Sequence, residues 1–194
     1  IENYTLKIIQ IQKLHQAENC YIVASELISG LIHNNLRLQN NLDLMEQFKT
    51  VSLLFATMIQ DLSQYFNNVY VYTVEGNHSR VVAKKEDSLQ GENMDILLPF
   101  YLQAKLQNYQ NVHIKENTVC KDIAMFNVRG NNVFASHGDK DSPSSVVQNW
   151  TMMFGIKPDI VLLGHRHTNG MTTVYDTKVL ESGSICGADQ YALS

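Results

Sequence analysis

The 194-residue chain is predicted to fold as one α/β domain, with two sheets and helices outside them. Three observations carry that expectation. Helix-period stretches alternate with short apolar runs through the first half, and strand pairs joined by turn residues dominate the second. No repeat, low-complexity tract or interdomain linker interrupts residues 1–194.

The elements follow in chain order. "YTLKIIQIQKLHQAEN" spaces its apolar residues as a helix does and delivers the chain to "CYIVAS", a buried strand. Residues 42–66 set Leu44, Phe48, Val51, Phe55, Met58 and Leu62 three or four apart, the stripe of a long amphipathic helix. "VYVYTV" is the next strand, and the polar "RVVAKKEDSLQGEN" (80–93) reads as a surface excursion. A helix from Asp95 to Leu106 leads to "NVHI". "DIAMFNV", the turn "RGNN" and "VFAS" then form a hairpin, with Gly130 and Asn131 as turn residues. Pro143 and Ser144 open a helix to about Phe154, Ser144 serving as cap or first-turn residue. "DIVLLGHRH", "TTVYDTKVLESGS" and a short tail close the chain as strands, so the later pairings should be mostly antiparallel.

Composition bounds the function. Apolar residues make up 44% and charged residues 18%, and no run of about 18 apolar residues could cross a bilayer, which predicts a soluble protein with no membrane partner. A formal charge of −4 weighs against a general electrostatic grip on nucleic acid, although a local basic patch or bound cations can still attract phosphates. Cys20, Cys120 and Cys186 are odd in number and scattered, which suggests a reducing, cytoplasmic setting rather than a disulfide framework or zinc ribbon. The chain opens on Ile1 without a signal pattern and is expected to continue upstream of it.

Four apolar runs end on ligand-type residues: "YIVASELISG" at Glu26, "VYTVEGNH" at Asn77 and His78, "VFASHGD" at His137, and "DIVLLGHRH" at His165 and His167. In layered α/β folds ligands gather at the carboxyl ends of strands, so four such ends imply one site. Each also has a plainer reading. Gly-Asn-His makes an ordinary turn, "SHGD" can hold a histidine bonded beside a glycine, and Glu26 alone reads as a solvated loop carboxylate. "GHRH" is more specific, because on an extended segment His165 and His167 face one side and can both address a cation. His15, His33 and His113 lack this context and read as structural or surface residues. Mixed Asn, His and carboxylate donors suit Mn²⁺, Fe²⁺ or Zn²⁺, and two such ions about 3.5–4 Å apart suit phosphoester hydrolysis.

With these residues in place, the chain resembles the calcineurin-like metallophosphoesterase superfamily, whose blocks run Asp-x-His, Gly-Asp, Gly-Asn-His, His, Gly-His-x-His. "GNH" (76–78), "HGD" from 137 and "GHRH" (164–167) match as they stand. "ELISGLIH", "GNHSR", "GIKPDIVLLGHRHT" and "GSICGADQYAL" look most like phage and prophage members. The resemblance implies a two-sheet β-sandwich flanked by helices and lacking its first strand, with two divalent ions, Mn²⁺ foremost and Fe²⁺, Zn²⁺, Ni²⁺ or Mg²⁺ as alternatives. It implies that Asn77, His137 and His165 bind the second metal and His167 the first. By the same resemblance His78 would act on the phosphate as transition-state stabiliser or general acid, and Arg80 would add a phosphate contact.

Two departures accompany the match. Ser25 and Glu26 stand where the family has Gly-Asp, so a longer carboxylate replaces the bridging aspartate, and Ser79 stands where an acidic residue would orient His78. No Asp-x-His occurs in these residues, which leaves the first metal two ligands short and suggests a single domain truncated at its N-terminus. Three functions compete: a phosphodiesterase acting on DNA, RNA or nucleotides, a degenerate relation kept as a binding or regulatory module, and a small-molecule phosphomonoesterase.

Overall fold

The computed structural model describes residues 1–89 and 91–185, with Asn35 and Leu36 described by backbone alone. The chain divides into two compact units, Ile1–Glu116 and Asn117–Ser194.

The first unit contains α1 (Glu2–His15), β1 (Asn19–Ala24), α2 (Asn34–Gln39), α3 (Leu44–Ser63), β2 (Asn68–Thr73), α4 (Leu97–Leu106) and β3 (Val112–Ile114). Its sheet runs β1-β2-β3, all parallel, with Ala24 opposite Thr73. That register sets the carboxyl ends of β1 and β2 side by side. Helix α3 begins where Asp43 accepts the Met45 and Glu46 amides at 3.0 Å each, a cap contributing about 1 kcal/mol. The expected stripe is at least partly buried throughout, and Ser52, Ala56 and Ile59 join it. Ile59, Leu62, Val69, Val71 and Leu102 are fully enclosed, each burial contributing about 1.5–3 kcal/mol.

Two expectations for this unit need correction. The helix expected from Asp95 opens with a 3-10 turn, Met94–Ile96, because the Asn93 side chain accepts the Asp95 amide at 2.9 Å and tightens the start. Residues 81–89 are mostly exposed as expected, but the ends of that excursion are tied down: Arg80 bridges Asn93, and both Ser79 and Asn93 are buried.

The second unit contains β4 (Ile123–Val128), β5 (Asn131–Ser136), α5 (Val146–Phe154), β6 (Ile160–Leu163), β7 (Gly170–Val174) and β8 (Thr177–Glu181). Strand order is β4-β5-β6-β8-β7. The two hairpins are antiparallel, but β5–β6 and β6–β8 are parallel, so the expected mostly antiparallel sheet is half parallel. Helix α5 is the crossover that returns the chain parallel for β5–β6, whereas β6–β8 is parallel because the chain runs out first as the edge strand β7 and turns back as β8 between β7 and β6.

The β4–β5 turn is Arg129 (φ 52°) and Gly130 (φ 90°), whereas Asn131, expected in the turn, already pairs with Val128. Positive φ at both central positions is the two-residue geometry that matches strand twist. Helix α5 starts at Val146 rather than at Pro143 or Ser144. The Ser144 hydroxyl is engaged with that of Ser142 at 2.9 Å, and Ser145 holds the cap position without a side-chain cap bond. Phe134 packs between Trp150 and Phe154, at ring separations of 6.1 and 5.9 Å, above Val147, Val161 and Val179.

Cys20 and Cys120 are free thiols, while Cys186 and the end of the tail lie outside the described residues. Among the described residues no helix is long and apolar enough to cross a membrane.

Candidate functional site

In the first unit the chain leaves β1 at Ala24 and reaches Glu26 in a left-handed conformation (φ 51°). It leaves β2 at Thr73 and turns through Gly76, Asn77 and His78. The two loops meet closely, since a Cβ at Gly76 would lie 2.5 Å from the Glu26 Cβ, a separation only glycine avoids. Glu26 Oε1 accepts the His78 amide at 2.7 Å. The structure thus joins Glu26 to the Gly-Asn-His turn, and Asn77 lies within that turn.

His78 Nδ1 lies 3.0 Å from the Ser29 carbonyl oxygen. A carbonyl can only accept, so Nδ1 carries the proton and Nε2 is the nitrogen available for proton exchange. The Ser29 carbonyl is thus the hydrogen-bond partner of this imidazole, and Ser79, which stands where the family has an acidic residue, is buried. A Cβ at Gly30 would lie 1.7 Å from the His78 carbonyl oxygen, which explains why the loop carrying Ser29 continues through glycine. Arg80 follows two residues on, with its Nε buried and unpartnered among the described residues.

Residues outside the predicted set also enter. Asp95, 6% exposed, accepts the Gly76 amide at 2.9 Å and the Glu26 amide at 3.1 Å on the same oxygen. Burial pushes its carboxyl above the usual range, opposed by those two amides and the Ser79 hydroxyl. Asn93 donates to the Gly76 carbonyl at 2.8 Å. Asp95 was marked in the sequence only as a charge opening an apolar helix, "NMDILLPF". The His33 ring, read as structural or surface, lies 5.1 Å from that of His78. His113 does prove structural, bonded to Asn68 Oδ1 at 3.0 Å and stacked on Tyr70.

In the second unit β5 and β6 are parallel, with Ser136 opposite Leu163, so His137 and the Gly164–His165 pair emerge at the same sheet end. The Gly164 amide donates to the His137 carbonyl at 3.0 Å, locking the loops together. His137 is buried and His165 exposed, and their Nε2 and Nδ1 atoms stand 3.1 Å apart. His165 (φ 66°) and His167 (φ 57°) are both left-handed, so "GHRH" is a bent loop and the alternation expected of an extended segment does not hold. His167 is exposed and makes no hydrogen bond or ring contact among the described residues. Arg166 braces the bend, pairing with Glu181 at 3.4 Å and donating to the Asp141 carbonyl at 3.2 Å.

The donor chemistry fits a divalent cation. Two imidazole nitrogens bound at about 2.0–2.1 Å with a 90–109° angle between them stand roughly 2.9–3.4 Å apart, the range in which His137 and His165 already hold their nitrogens. Carboxylate and amide oxygens at Glu26 and Asn77 suit the same hard or borderline ions.

Comparison with known families matches residues 30–193 to the Calcineurin-like phosphoesterase superfamily domain. A comparison with curated proteins found no match. Among solved structures, an archaeal phosphodiesterase is similar at 14% identity and TM-score 0.41, covering 88% of this chain and 87% of its own. A Streptococcus pneumoniae protein described as a predicted phosphoesterase shares 13% identity at TM-score 0.40, over 85% and 72% of the two chains. A single mutant of Vps29 from Entamoeba histolytica shares 16% at TM-score 0.40, over 90% and 78%. Likenesses this distant carry no role across to this chain.

Proposed function

This chain belongs to the calcineurin-like phosphoesterase superfamily, and from that premise we propose that it is a metal-dependent phosphodiesterase acting on nucleic acid or nucleotides. The proposed metal ligands are Glu26, Asn77, His137, His165 and His167, with Mn²⁺ as the first choice of ion and two ions per active chain. The observation that carries the reading is the 3.1 Å between His137 Nε2 and His165 Nδ1, a spacing suited to one shared cation. When bound, divalent cations supply the charge that activates a water and neutralises phosphoryl oxygens. His78 does the remaining proton work: with Nδ1 committed to Ser29, Nε2 is left to serve the substrate and, as imidazolium, protonates the leaving oxygen. Arg80 adds charge to the phosphate-binding surface. A phage or prophage origin and a cytoplasmic setting belong to the same proposal.

One feature favours a second reading, a degenerate binding module. Glu26 stands where the family has aspartate, and its Oε1 already accepts the His78 amide. Metal analysis with an activity assay separates the two. An enzyme retains close to two ions and, with Mn²⁺, turns over a chromogenic phosphodiester and single- or double-stranded DNA faster than a monoester. A binding relic retains one ion or none and turns over nothing, and inactivity with no effect of His78→Ala sinks the first reading.

A further inference from the structure

We propose that Asp95 is a positioning residue: a single carboxylate oxygen, by accepting the Glu26 and Gly76 amides, holds the end of β1 against the Gly76–His78 turn so that Glu26 and Asn77 serve one cation. The proposal rests on the reading of those two residues as ligands. Glu26 and Gly76 are 50 positions apart by their numbers, and β1–β2 pairing stops before either of them at Ala24 and Thr73. Beyond that point Asp95 Oδ2 continues the connection, at 3.1 Å to Glu26 and 2.9 Å to Gly76.

Asp95 is itself held. The Asn93 side chain accepts its amide at 2.9 Å and donates to the Gly76 carbonyl at 2.8 Å, while the Met94 amide donates to the Ser79 carbonyl at 2.7 Å. Three consecutive residues thus clamp one turn on both edges. A buried carboxylate of this kind is retained only where its acceptors are filled, and both filled positions here belong to loops that carry proposed ligands. Outer partners of this type orient ligands, and their loss weakens metal affinity or activity roughly 10–100-fold.

The test combines amide hydrogen exchange with Mn²⁺ titration of the whole chain. In wild type the Glu26 and Gly76 amides should exchange slowly although neither lies in a strand, and fast exchange in the folded wild type overturns the proposal without any variant. Asp95→Ala should release both amides and weaken Mn²⁺ binding roughly 10–100-fold. Asp95→Asn keeps an acceptor oxygen and should restore much of both, whereas Asp95→Leu, which fills the space without an acceptor, should not, as it would if Asp95 only filled space. Unchanged protection and affinity in Asp95→Ala also overturns it. A wild type that binds no Mn²⁺ defeats the functional reading instead, and amide exchange still decides for or against Asp95.

Discussion

His78 Nδ1 lies 3.0 Å from the Ser29 carbonyl oxygen, 49 residues away in sequence. Because the carbonyl can only accept, the tautomer is set and Nε2 is left for the reaction. An imidazolium that protonates the leaving group matters most when that group is a poor one. His78→Ala should therefore lower turnover of a dinucleotide by about 10²–10⁴-fold and of a p-nitrophenyl diester by less. Mn²⁺ affinity, measured by titration calorimetry, should change little. Equal losses on both substrates would assign His78 to phosphate binding rather than to proton donation.

The loop that carries Ser29 turns at Gly30 (φ 66°), where a Cβ would meet the His78 carbonyl oxygen at 1.7 Å. Gly30→Ala should cost about 3 kcal/mol or more, left-handed strain adding to displaced backbone. Gly130 is the control, since it too has positive φ (90°) but nothing within 4 Å of a new Cβ. Gly130→Ala should cost only the strain, about 1–2 kcal/mol. Thermal unfolding ranks the pair, and a Gly30 variant as stable as the Gly130 variant contradicts the close approach.

These positions mark what could and could not be read in advance. Strand ends at Glu26, Asn77, His137 and His165 were visible because an apolar run that stops on a polar ligand type is a local pattern, and the α3 stripe was visible for the same reason. The bend of "GHRH" was not, because left-handed φ at His165 and His167 leaves no trace in residue type when the residue is not glycine. The parallel pairing of β5, β6 and β8 depends on which distant strands meet rather than on any one strand's composition. Asp95 escaped because its meaning lies in amides 19 and 69 residues away.

Cys20 sits in β1 among the helices that cover the sheet, and burial pushes its thiol up to about 11 from an ordinary 9.0. A raised native value means the folded state holds this proton more tightly than the unfolded chain does. Its contribution is complete below pH 9 and is lost as pH rises towards 11, on the order of 2 kcal/mol. Cys20→Ala should therefore show a flatter loss of stability over that window than wild type by denaturant titration. At pH 8 the native thiol should resist iodoacetamide, as read by peptide mass mapping, and become reactive on unfolding.

The His137–His165 pair gives the most direct stability test, because two ring nitrogens 3.1 Å apart are already spaced for one shared cation. Saturating Mn²⁺ binds only the folded arrangement and should raise the unfolding free energy by about 2.7 kcal/mol at a hundredfold excess over Kd. Addition of EDTA should reverse the shift. His165→Ala removes one nitrogen from an exposed loop already braced by Arg166, so the fold should persist while the Mn²⁺-dependent rise in Tm is lost. His167→Ala, on an exposed residue without a hydrogen bond or ring contact among the described residues, should leave basal stability unchanged and reduce the rise only if that imidazole serves a cation. An undiminished rise in His165→Ala would show that the stabilising ion sits elsewhere, and the pair would then be a hydrogen-bonded couple joining the ends of β5 and β6.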